Sequence, residues 1–110
     1  MKIQLVTHTR TPDGALERRP PVTVLETSAA RAEATAALTA VVARLGAIVA
    51  IPPAAHEANL RLLLARDLEA HGLPLGAATD GEPLTLTVLR TREADSTAGA
   101  EVHTLRYEVG

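Results

Sequence analysis

The 110-residue chain contains no cysteine, no tryptophan and no phenylalanine, and its single aromatic residue is Tyr107. Each absence removes a class of chemistry. Without cysteine there is no disulfide framework, no thiolate zinc site, no iron–sulfur cluster and no thiol nucleophile. One ring cannot form a stacking platform for single-stranded bases, and it leaves an interface without the aromatic anchors that dominate most hot spots. Lysine is nearly missing as well. Ten of the eleven cations are Arg and alanine is abundant, a bias that fits a high-GC bacterial genome. Lys+Arg 11 against Asp+Glu 13 leaves a net charge of −2, with no bulk attraction to nucleic acid or to an anionic membrane. The longest uncharged apolar stretch, residues 45–55, is too short to cross a bilayer and carries two prolines. The first ten residues turn polar after Val6, so they lack a secretory apolar core, and a cytoplasmic location is expected.

What is present is an aliphatic globular composition, 46% hydrophobic, of a length that fits one domain over 1–110. Residues 2–9 alternate, Ile3 and Leu5 to one face and Lys2, Gln4 and His8 to the other, as in a strand exposed on one side. Thr11-Pro12-Asp13-Gly14 supplies turn chemistry, and a second strand follows at 22–26 behind Pro20 and Pro21. Thr27 or Ser28 is the expected cap of a helix whose apolar stripe is Leu38, Val41, Val42 and Leu45, widened by Ala30, Ala34 and Ala37. Residues 47–51 fit either a short buried strand or a continuation of that helix. A second helix starts near Pro53 with the stripe Leu60, Leu63, Leu64 and Leu68, and His71-Gly72 closes it. Leu84, Leu86 and Val88 alternate with Thr85 and Thr87, and His103, Leu105, Tyr107 and Val109 alternate with Thr104, Arg106 and Glu108. Residues 93–100 read as a turn region. The order β-β-α-α-β-β, with a short extra strand at 47–51 as an option, predicts an α+β fold. Its antiparallel sheet of about four strands is covered on one face by two helices.

The chemistry-bearing residues form few patterns. His56-Glu57 opens a helix, but Leu60 stands where a zinc-protease motif needs its second histidine. Asp67 and His71 are one helical turn apart, and two ligands make no metal site. Ser28 and Ser96 are the only serines, and neither lies in a nucleophile elbow. No phosphate-cradling glycine loop occurs, and no cofactor is implied. Three readings remain. The first is a non-catalytic protein-interaction module that self-associates, as a homodimer, through a threonine-rich sheet face formed by Thr23, Thr85, Thr87 and Thr104 with Arg106. The second is a nucleic-acid or phospholigand contact through arginines at the hairpin ends: Arg10, Arg18 and Arg19 on the first, Arg90 and Arg92 on the second. Asp13, Glu17, Glu93 and Asp95 intersperse and largely neutralise that rim. The third is a metal- or histidine-dependent enzyme that pairs His8 with His103, which requires the first and last strands to be neighbours.

Overall fold

A computed structural model of the chain describes residues 1–11, 13–46, 48–49, 53–76, 81–92 and 103–110. The elements run β1 (Lys2–Arg10), β2 (Leu16–Arg18), β3 (Val22–Glu26), α1 (Arg31–Val42), β4 (Ile48–Val49), α2 (Pro53–Ala70), β5 (Leu84–Arg92) and β6 (His103–Val109). β2 and β3 flank successive halves of β1 and act as one strand broken at residues 19–21, where the two prolines cannot donate to a ladder. A register shift between Ile3 and Gln4 leaves Val24 as an extra residue in β3. The sheet continues β1-β5-β6-β4, so residues 48–49 of the ambiguous segment form a strand, while 47, 50 and 51 lie outside the described residues. Also outside them are residue 12, residues 77–80 and the expected turn at 93–100.

The expected α+β sheet with helices on one face is the fold that forms. Every pairing is antiparallel except the central one, β1 beside β5, which is parallel. A parallel pair needs a long connection, and the chain between β1 and β5 supplies one through β3, α1, β4 and α2. The neighbour of β1 is β5, and β6 lies one strand further out.

Alternation decides the core. Ile3 and Leu5 of β1, Leu84, Leu86 and Val88 of β5 and Leu105 of β6 all turn to the helices and are buried. Ala34, Ala37, Leu38 and Val41 of α1, with Leu60, Leu64 and Leu68 of α2, close over them. The small side chains of Ala34 and Ala37 let α1 lie close to the layer beneath. Leu63, expected in the stripe, is only half-buried, and Leu62 is 69% exposed.

Helix ends differ from expectation at one terminus and agree at another. α1 starts at Arg31 behind Ala30, which offers no side-chain cap. Thr27 is instead buried: its hydroxyl donates to the Pro74 carbonyl and accepts from the Ala29 N–H at 3.1 Å. The residue that reads as a cap thus ties the strand end to the loop behind α2. At the end of α2, Gly72 has φ +95. Its N–H donates to Glu69 at 3.0 Å, and the Leu73 N–H reaches back to Leu68 at 3.2 Å. This is a Schellman closure with both leucines buried beneath it.

Candidate functional site

The face of the sheet away from the helices carries the even-numbered residues of β1 and β6 and the odd-numbered residues of β5. Registered rows cross it: Gln4 beside Thr85, Val6 beside Thr87 and Glu108, His8 beside Leu89 and Arg106, and Arg10 beside Thr91 and Thr104. Thr85, Thr87, Leu89, Thr91, Thr104 and Val6 are each half-buried, although no helix lies over them, because neighbouring side chains crowd one another. The Gln4 amide nitrogen donates to the Thr85 hydroxyl at 3.0 Å. A shallow depression of about 440 Å³ is lined here by Thr87, Leu89, Arg106 and Glu108. The predicted threonine face is thus one surface for Thr85, Thr87, Thr104 and Arg106. Thr23 continues it beyond Gln4 on β3 and is exposed.

The arginines separate. Because β1 and β5 run parallel, Arg10 and Arg92 finish at the same end of the sheet, and exposed Arg18 lies opposite His8 beside them. Arg19 turns to α2, where its Nε meets the Glu57 carboxylate at 2.9 Å. Arg90 departs furthest from the expected rim. It follows Leu84, Leu86 and Val88 in the same alternation, turns beneath the helices and has 0% exposure. The period-2 pattern extends to Arg90 in the sequence, and continuing it by one step would have found this. Glu93 and Asp95 lie outside the described residues.

Around Arg90 the covered face becomes polar. Thr7, Thr9, His103, His56 and Glu57 are all buried at this end of the fold. Burial holds the His56 imidazole below its usual range, and the positive fields of Arg90 and His103 lower it further. His56 also lines an open apolar groove with Leu45, Asn59, Leu60, Leu63 and Tyr107. The Tyr107 hydroxyl donates to the Gly46 carbonyl at 2.9 Å, and burial raises its pKa.

The expected pairing of His8 with His103 does not form. His8 lies on the open face of β1, whereas His103 is buried on the covered face of β6, with β5 between the two strands. Among the described residues, no group of three or more His, Cys, Asp or Glu side chains converges to hold a metal. No helix among them is long and apolar enough to cross a membrane. No protein-family model, curated protein or solved structure matches the chain.

Proposed function

We propose that this protein is a small, non-catalytic interaction module that binds a second copy of itself through the open face of its sheet. The supporting observation is the make-up of that face. Its middle is uncharged, with Val6, Thr85, Thr87, Leu89 and Thr91 in adjoining rows, and Lys2, Arg10, Arg106 and Glu108 stand at its ends and edge. Threonine methyls and aliphatic side chains desolvate cheaply, while the hydroxyls find partners in a matching face. Thr23, Thr104 and Arg106 extend the contact, and no aromatic anchor is needed for a flat, self-complementary surface. Thr87→Lys places a charge in the centre. Sedimentation equilibrium at micromolar concentration is expected to show the wild type above monomer mass and Thr87→Lys below the wild type. A strictly monomeric wild type removes the reading.

A second reading is favoured by the parallel pairing of β1 with β5, which brings Arg10 and Arg18 on the open face and Arg92 on the opposite face to one end of the sheet, an end read here as a contact for a nucleic acid or another phosphate-bearing ligand. Arg19 pairs with Glu57 and Arg90 is fully buried, so the test changes the exposed residues Arg10, Arg18 and Arg92 together. Binding to a short duplex at low salt is expected to fall with added salt and to be lost in the triple variant. No binding at low salt ends this reading.

A further inference from the structure

His56, Leu60 and Leu63 follow one another at helical spacing along α2, so they share one face of the helix. That face, with Leu45 beyond the end of α1 and Tyr107 of β6, lines the open groove of about 210 Å³. His56 is the polar member of an otherwise apolar stripe. It is 8% exposed, and among the described residues its ring has no hydrogen-bond partner. A buried polar group without a partner is costly, and a neutral imidazole keeps one N–H donor to offer. Glu57, its neighbour in α2, commits its carboxylate to Arg19 Nε at 2.9 Å. The fields that reach the ring from β5 and β6, those of Arg90 and His103, are positive.

We infer that this groove binds a small aliphatic carboxylate, its chain along Leu45, Leu60, Leu63 and Tyr107 and its head group on the His56 ring. Size and charge both select such a molecule. An apolar cavity of about 150 Å³ holds a benzene ring, so a groove of about 210 Å³ takes a chain of about six to eight carbons. The Tyr107 hydroxyl is committed to the Gly46 carbonyl at 2.9 Å, which leaves its ring to the chain. At the head, the His56 N–H donates to a carboxylate oxygen. The positive fields favour an anion over a neutral hydroxyl, and a hydrogen bond to a charged group is roughly twice as strong as a neutral one. A cationic head meets the same fields with the wrong sign. Exposed Asn59, one helical turn from His56, supplies a second donor at the same end. The groove lies on the helix-bearing side of the sheet, so the inference stands without self-association through the open face.

Octanoate and octanol, equal in chain length, separate the head from the chain. Each is titrated into the intact protein and followed through the NMR signals of the His56 ring and the Leu63 methyls. Octanoate is expected to bind with a Kd on the order of 1 mM or tighter, and octanol about ten-fold more weakly. A bound carboxylate favours the protonated imidazole, so the His56 pKa is expected to rise on saturation with octanoate and not with octanol. The ionisable groups around the ring, Glu57, Arg90, His103 and Tyr107, are the same in both titrations. His56→Leu keeps an apolar lining and removes the head contact, so octanoate should weaken about ten-fold while octanol does not. Leu63→Asp, at a half-buried position, sets a like charge beside the groove and should weaken octanoate by about ten-fold or more with the fold retained. The inference is overturned if octanoate shows no saturable binding up to about 20 mM, if octanol binds as tightly, if His56→Leu and Leu63→Asp bind octanoate like the wild type, or if the His56 pKa does not rise.

Discussion

Arg90 and His56 show how one position changes meaning once the fold is known. Both are buried at the polar end of the covered face, and His56 is held towards its neutral form by desolvation, by Arg90 and by His103. Its pKa in the folded state lies below the ordinary histidine value of 6.5, so on acidification the unfolded chain takes up the proton first. Stability is therefore complete above about pH 6.5 and declines as the pH falls below it. Thermal melts from pH 7.5 to 5 are expected to show this decline, with a shallower slope in His56→Gln. A melting temperature that rises on acidification would contradict the assignment. Core leucines give a second prediction. Leu86→Ala and Leu64→Ala should each cost about 2–5 kcal/mol, while Leu62→Ala, which is mostly exposed, should stay within about 0.5 kcal/mol in urea unfolding.

Among the elements, the strands were the most legible. Alternation at Ile3 and Leu5, at Leu84, Leu86 and Val88, and at Leu105 assigned each side chain to the face where it is found, because the side-chain period of a strand leaves no freedom. Helix ends were less so. Thr27 has the chemistry of a cap, yet its hydroxyl serves Pro74 and Ala29, since a long-range partner outweighs a local propensity that no sequence window contains. Leu63 sits in the apolar stripe of α2 by spacing but borders an open groove. Gly72 stops α2, as a glycine after His71 implies, and its φ of +95 makes the consequence measurable. Gly72→Ala is expected to cost about 1 kcal/mol or more through left-handed strain. A loss of under about 0.3 kcal/mol in chemical denaturation would mean that the closure contributes little.

Strand order belongs to the whole molecule, and pattern alone could not supply it. The parallel pairing of β1 with β5 separates His8 from His103, gathers Arg10, Arg18 and Arg92 at one end, and leaves β6 near an edge. Each consequence bears on function. The extents of 46 × 24 × 19 Å describe an elongated body whose sheet keeps one face uncovered by the helices. Covering such a face by a second copy removes half-exposed Val6, Leu89 and threonine methyls from water, with Arg106 and Glu108 at its border, and this makes self-association the central claim. Sedimentation equilibrium of the wild type beside Thr87→Lys, each from 1 to about 200 μM, tests it most directly, since these concentrations bracket the micromolar affinities of modest interfaces. The account predicts a wild-type mass above that of the 11.5 kDa monomer and a lower mass for Thr87→Lys at unchanged melting temperature. Identical masses for the two proteins, or a wild-type monomer throughout, would contradict it.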